Sequence, residues 1–482
     1  MWECKHLMRI MLVAVLSVEA EFQLRMARRL AAQGHDVLII CRDPIRTIAR
    51  AFADRGLPLA EGVFGDRPAL VDAASGVQVV PWHTADVAAP GSVGGQDLLE
   101  QGLALERKYG IRNLRAEVAS EHLYEERVVE DCAPELLACY PAWERLLDLW
   151  TPDAVFTGDG GDNIRTSLLH CLARRGLPLY HQSWPPAPGM TCFGADNLYT
   201  MDTLPLDDER PETADELAWA TAYVQGIRQG TLNFILRRPA PSLLPGVRHV
   251  RRLLTGRQTL GYTLAEWVRR ARRQPVARRV AKCVVEPADE PFVFFPLHVT
   301  DDAQLTVRSP LLAAQFTAVD LVARSLPVGM SVYVKEHPAL VGTSPAALMD
   351  PLLRMPNVKL IHPRWHPHEL IRRSRLVCVI NSTAGLEALA LERPVICLGK
   401  PFYAGWGLTH DWGQAVDLPA LVRHALQAAL PTDQALLRVI CRLRRNCYQG
   451  TQYVLDGSTE NAAVTAESLL QAIADRQQAQ VR

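Results

Sequence analysis

The chain has 482 residues, 48% of them hydrophobic and 22% charged, which excludes a disordered protein and exceeds what one ordinary core absorbs, so two or more domains are expected. Lysine plus arginine and aspartate plus glutamate both number 52. Overall charge therefore gives no argument for a nucleic-acid partner, and any charge signal has to be local.

The apolar run 10–16 is shorter than a typical signal-peptide core and passes at once into a helical pattern. It reads as a buried first strand. Phe22, Leu24, Met26, Ala27, Leu30 and Ala31 recur at helical spacing, Gly34-His35-Asp36 makes a turn, and a second apolar strand follows at 37–40. That is a βαβ unit, which implies a parallel sheet covered by helices. The same grammar returns in the strand 154–157, the helix 164–174, the turn Gly176-Leu177-Pro178 and the strand starting at Leu179. Between the two, 86–97 reads as a loop and 100–150 as a helical insertion. Eleven cysteines are scattered without a CxxC pair, the pattern of reduced packing thiols in a cytosolic protein.

Residues 248–282 carry ten arginines and one lysine against the single acid Glu266. Arg269, Arg270, Arg272, Arg273, Arg278, Arg279 and Lys282 follow Leu264 and Trp267, which suits either an interfacial segment on anionic lipid or a solvated linker. No run of about 18 apolar residues predicts a transmembrane helix. A second α/β domain opens at 292–297, continues through a helix at 310–325, strands at 331–334 and 376–380, a helix at 384–391 and a strand at 394–398, and ends in a helical tail at 432–474. Two such sheets without a GxGxxG after either first strand favour a GT-B transferase over a dinucleotide enzyme. The expected architecture is α/β and GT-B-like: two Rossmann-type doubly wound domains facing a cleft, with a helical C-terminal tail. The expected boundaries are 1–235 for the acceptor-side domain, 236–288 for the basic segment, 289–420 for the donor domain and 421–482 for the tail.

Chemistry concentrates in the second half. In Ile380-Asn381-Ser382-Thr383-Ala384-Gly385-Leu386-Glu387 a buried strand ends on N-cap residues and a helix begins, so Ser382, Thr383 and the first backbone N–H groups face a ligand phosphate or merely cap the helix. Glu387, one turn inside, suits ribose hydroxyls. The glycine-spaced loop 399–409 carries Phe402, Tyr403 and Trp406, flat apolar faces for a sugar or nucleobase, or else packing groups. Lys335-Glu336-His337-Pro338 stands at the carboxyl end of a strand, where open α/β sheets bind ligands. Lys335 is placed to neutralise a leaving phosphate and His337 to donate a hydrogen bond to it. Asp301-Asp302 is not spaced as DxD, and adjacent side chains at a strand end diverge. One acid reads as nucleophile or base, the other as solvated, and no metal is expected.

The segments PLHVTDDAQL, KEHP and NSTAGLEAL, followed by GKPFYAGWGLT, resemble the capsule polysaccharide biosynthesis and export proteins, the β-Kdo transferases of bacterial capsules. The resemblance covers 290–412 closely and 150–200 loosely. It implies a CMP-Kdo or other CMP-sugar donor, no further cofactor, retention without a metal, Asp302 as the attacking acid and His337 with Pro338 on the CMP phosphate. A lipid-linked or glycan acceptor is expected with it, and for a protein read as cytoplasmic the basic segment 248–282 offers a peripheral contact with the inner face of the membrane. Two positions depart from the family: His298 stands where a Gln is usual, and Gln182 stands where an acceptor-side acid is expected, leaving Asp159, in the stretch 159–163 that reads equally as a turn and helix cap, as a substitute acid. A non-catalytic assembly component and a GT-B-type nucleotide-sugar epimerase remain as alternatives.

Overall fold

The computed structural model describes residues 7–82, 95–122, 128–158, 160–195, 210–232, 268, 274–275, 277–338, 340–341, 344–413 and 417–481. The chain divides into two compact units, Met1–Thr203 with Asn446–Arg482, and Leu204–Arg445.

In the first unit the parallel strands β1 (Arg9–Ala14), β2 (Asp36–Cys41), β5 (Gln78–Pro81), β6 (Ala154–Thr157) and β7 (Leu179–Ser183) lie in the order β5-β2-β1-β6-β7. A hairpin of β3 (Ala60–Phe64) and β4 (Arg67–Val71) runs antiparallel against β5, and β8 (Met190–Gly194) and β15 (Tyr448–Gln449) extend the other edge. Strand side chains alternate between faces. Met11 and Val13 of β1 accordingly enter a core with Trp143 of α5 (Val129–Leu149), while Ile10, Leu12 and Ala14 enter another with Leu24 of α1 (Ser17–Ala31). The helical insertion appears as α3 (Gly95–Tyr109), α4 (Leu114–His122) and α5. Helix α6 (Asn163–Arg175) starts on an Asp162 cap and stops at Gly176, whose φ of 65° is easy only for glycine.

The second unit holds one sheet of six parallel strands, β9 (Phe292–Pro296), β10 (Ser331–Lys335), β11 (Val358–Leu360), β12 (Leu376–Val379), β13 (Val395–Cys397) and β14 (His410–Asp411), in the order β11-β10-β9-β12-β13-β14. Counted along this unit the order is 3-2-1-4-5-6, the doubly wound order. Each unit is thus Rossmann-type, as the alternating patterns predict.

The division of the chain differs from the expected one at both ends of the second unit. Helix α7 (Ala214–Gln229) was expected in the first domain, but Tyr223, Val224 and Ile227 pack in the core of Phe292 and Tyr333. It also carries Glu216, which Arg445 clamps at 2.7 and 2.9 Å. The tail is not one element either. Asp433–Arg445 closes the second unit through Val439 and Ile440, whereas Thr459–Val481 returns to the first and buries Ala462, Ala466, Leu469 and Ile473 in the core that α1 shares. Most of the basic segment, including Arg269, Arg270, Arg272 and Arg273, lies outside the described residues.

Candidate functional site

In the second sheet, β9 and β12 are neighbours whose connections leave in opposite directions. That is the topological switch point, where a crevice opens beyond the carboxyl ends of the strands. The segments that leave these ends carry His298 to Asp302 after β9, Glu336 to Pro338 after β10, and Asn381 to Thr383 soon after β12.

Buried hydrogen bonds hold these segments together. The Gln315 side chain pairs with both backbone groups of His298, accepting its N–H at 2.8 Å and donating to its carbonyl at 3.2 Å. His298 Nε2 accepts the Asn381 backbone N–H at 3.3 Å. Burial, with His337 adding to it, pushes the His298 imidazole down to about 3, so it stays neutral and serves as an acceptor. The Asn381 amide donates to the Gln304 carbonyl at 2.5 Å and to Ser309 Oγ at 2.9 Å, and accepts the Lys400 N–H at 2.8 Å. Gly399 is required beside it, since a Cβ there would lie 2.4 Å from Asn381 Oδ1. His298 therefore has a structural use, and Asn381 joins the loops after β9, β12 and β13.

Asp302 caps the short helix α8 (Ala303–Thr306) by accepting the Gln304 N–H at 2.9 Å, and it is half-buried, while Asp301 is exposed. Lys335 ends β10 with only 4% of its surface exposed. Its ammonium makes no hydrogen bond among the described residues. Burial lowers its pKa, against the pull of Glu336. Glu336 is itself buried and accepts from Ser344 Oγ at 2.6 Å. His337 is half-buried and Pro338 exposed.

Ser382 and Thr383 are half-buried before the helix Ala384–Ala390; the Ser382 hydroxyl accepts the Ala384 N–H at 3.2 Å, and Thr383 makes no side-chain cap. This helix has seven residues, so its dipole is short and the cation at Lys335 is the stronger attraction for an anion. Glu387 is buried, and its Oε2 lies 2.6 Å from His368 Nε2. His368 sits in the first turn of Pro367–Arg373, and His366 caps that helix by accepting the His368 N–H at 3.2 Å. Burial first, then His368, lower the His366 pKa; Glu387 and Glu369 oppose this, and Lys335 adds to it.

The aromatic loop is packed on its own unit. Tyr403 is fully buried and its hydroxyl donates to the Ser382 carbonyl, so it is not a surface for a donor; this corrects the expectation from the sequence. Phe402 and Trp406 pack partly buried against the same core, and Arg442 covers the Trp406 ring at 4.4 Å. Glycine spacing reflects backbone need as well as close approach: Gly405 and Gly407 have φ of 79° and 75°.

In the first unit the corresponding crevice, beyond β1 and β6, is filled by protein charge. Arg165 bonds both Glu19 oxygens at 2.6 Å, Asp162 at 2.8 Å and Thr157 at 3.0 Å. Burial opposes its charge, but the two acids prevail and raise its pKa. Asp162 is thereby a cap and an ion-pair partner. Gln182 is buried in β7 with its Nε2 unpaired, and Asp159 lies outside the described residues. His366, His368 and Asn381 were not singled out from the sequence as site residues; His-Pro-His before an apolar helical run was the available signal.

Two doubly wound units in one chain are what the GT-B expectation calls for, and the second holds a buried lysine at the carboxyl end of β10, one strand from its switch point. Residues 241–425, which include the site, match the model of the capsule polysaccharide biosynthesis protein family. Protein FixF of Sinorhizobium fredii is 35% identical over 168 residues, covering 33% of this chain and 39% of that protein. The capsule polysaccharide modification protein LipA of Neisseria meningitidis serogroup A is 30% identical over 80 residues, 17% of this chain and 11% of that protein. The matched segments thus span about two fifths or less of these relatives. Among solved structures, the Thermosulfurimonas dismutans KpsC β-Kdo 2,4 transferase is 19% identical, covers 64% of this chain and 83% of that one, and has a TM-score of 0.38.

Proposed function

We propose that the chain is a glycosyltransferase of capsular or related surface polysaccharide, and that its second unit binds a CMP-activated sugar, with Kdo as the first choice. The observation that carries this reading is Lys335, a buried lysine whose ammonium has no hydrogen-bond partner among the described residues, at the carboxyl end of the strand beside the switch point of a doubly wound sheet. A buried cation is costly unless counter-charge completes it, and Glu336 beside it offsets only part of that cost. The donor phosphate is the remaining charge, with His337, Pro338, Ser382 and Thr383 around it. The LipA and KpsC names point to capsule chemistry and to Kdo respectively in those proteins.

In the proposed reaction the Asp302 carboxylate attacks the anomeric carbon as its bond to the CMP phosphate breaks, and CMP leaves with the bonding electrons. The acceptor hydroxyl then displaces Asp302, giving its proton to a base, so configuration is retained overall. The N-cap bond holds the carboxylate in one orientation. A single phosphate is within the means of Lys335 and His337, so no metal is invoked. The proposed setting is the inner membrane surface, with a lipid-linked or glycan acceptor; no described helix is long and apolar enough to cross a membrane.

The test is mass spectrometry of products after incubation with CMP-Kdo and a panel of lipid and glycan acceptors, with and without EDTA. A Kdo-extended product in both arms is the expected result. A second reading, a donor-binding component without turnover, draws on Gln182 in place of an acid and on the ion pair filling the first unit's crevice. CMP binding without any product in the same assay would favour it.

A further inference from the structure

The contact between His368 and Glu387 joins two helices at the edge of the proposed donor site, and three side chains act in series. His366 caps the helix Pro367–Arg373 through Nδ1, which accepts the His368 N–H at 3.2 Å, and its ring lies edge-on to His368 with centroids 4.8 Å apart. His368 then reaches Glu387 Oε2 at 2.6 Å, with side-chain exposures of only 2% and 7%. The imidazole N–H donates and the carboxylate accepts, which assigns Nε2 as the protonated nitrogen. This bond uses one carboxylate oxygen; the other makes no hydrogen bond among the described residues. A buried charge-assisted bond of this kind fixes direction, because the alternative is a buried carboxylate without a donor.

We infer that His368 is a positioning residue: by holding Glu387 Oε2 it turns the second oxygen toward the hydroxyls of a ribonucleoside, and so gives the site its preference for ribose over deoxyribose. This role rests on the donor site proposed above. His368 touches no reacting atom. An apolar side chain at 368 would keep the helix packed but release the carboxylate, and the ribose contact would lose its direction while the phosphate contacts at Lys335 remained.

Titration calorimetry with CMP and 2′-deoxy-CMP, and in parallel with the uridine pair, separates this from a simple brace between helices. Wild type should prefer the ribonucleotide about tenfold, the worth of one well-directed hydrogen bond. His368→Phe should bind both nucleotides alike, at the deoxynucleotide's affinity, and His368→Gln, which keeps an N–H donor, should recover part of the preference. Glu387→Gln should lose it too, which keeps the test open if His368→Phe does not fold. Equal weakening of both nucleotides in His368→Phe, or a preference that survives in it, overturns the inference while leaving the donor site intact. Wild type that binds CMP and 2′-deoxy-CMP equally overturns it as well. Wild type that binds no nucleotide at all removes the donor site itself, and the inference with it.

Discussion

The imidazole of His298 accepts the backbone N–H of Asn381 across 83 residues of sequence, and burial keeps that imidazole neutral. Its folded pKa of about 3 lies below the unfolded value near 6.5. Below about pH 6.5 the unfolded chain therefore binds a proton that the folded one refuses, and stability falls as pH falls toward 3, by on the order of 1.4 kcal/mol per unit from this group. His298→Gln keeps an acceptor without the titration. Chemical denaturation from pH 7 to 4 should show wild type losing stability relative to this variant, and parallel curves would refute the assignment.

Lys335 is expected to set nucleotide affinity. Lys335→Gln should weaken CMP binding by about ten- to a hundredfold, the range of a charge-assisted bond. Because burial lowers its pKa, wild-type binding should fade in alkaline solution at a lower pH than an ordinary lysine would dictate, since only the ammonium attracts phosphate. An unchanged affinity in calorimetry would move the phosphate elsewhere.

For Asp302 the choice of variant matters, because it also caps a helix. Asp302→Asn keeps the cap and removes the nucleophile, so it should abolish transfer while CMP affinity stays within a few-fold. Asp301→Asn should do much less. Equal losses of turnover from the two would show the wrong acid has been chosen.

Gly385 and Tyr403 form a matched pair. A Cβ at 385 would lie 2.2 Å from the Tyr403 hydroxyl oxygen. Gly385→Ala should cost about 1–3 kcal/mol and Tyr403→Phe about 1 kcal/mol. Combined, they should cost less than their sum, since removing the hydroxyl takes away the nearest clashing atom, although ring carbon Cζ still lies 2.8 Å from the same point. Thermal melts decide this, and a large loss of CMP affinity in a folded Tyr403→Phe would restore that ring to the binding site.

The basic segment gives a charge-based prediction. Replacing Arg269, Arg270, Arg272 and Arg273 with Gln should release the protein from anionic liposomes without changing CMP binding, since each cation near such a surface contributes about 1 kcal/mol. If wild type fails to sediment with these liposomes at low salt, the segment is only a linker.

Strands 10–16 and 292–297 were legible because buried parallel strands are nearly continuous apolar runs, and the helices between them keep a clear period. The β3–β4 hairpin was not, since Gly62, Gly65 and Pro68 interrupt it and much of it is exposed. Lys335, Asp302 and Ser382 could be placed at or beyond strand ends because a strand end can be read locally. The partners of Glu387 and Asn381 were hidden: His368 is 19 residues from Glu387, and Gln304 is 77 from Asn381. Tyr403 misled for a related reason, because an aromatic among glycines looks the same in sequence whether it faces a ligand or fills the core.

The return of Thr459–Val481 to the first unit orders the events of synthesis. The second unit is one continuous stretch, Leu204–Arg445, so the ribosome releases all of it before the helix that completes the first unit emerges. Until then the face of α1 that packs against this helix lacks its cover. The earlier-made half must wait in an unfinished state while the later-made half folds, which makes it the natural client of chaperones and the half most sensitive to truncation.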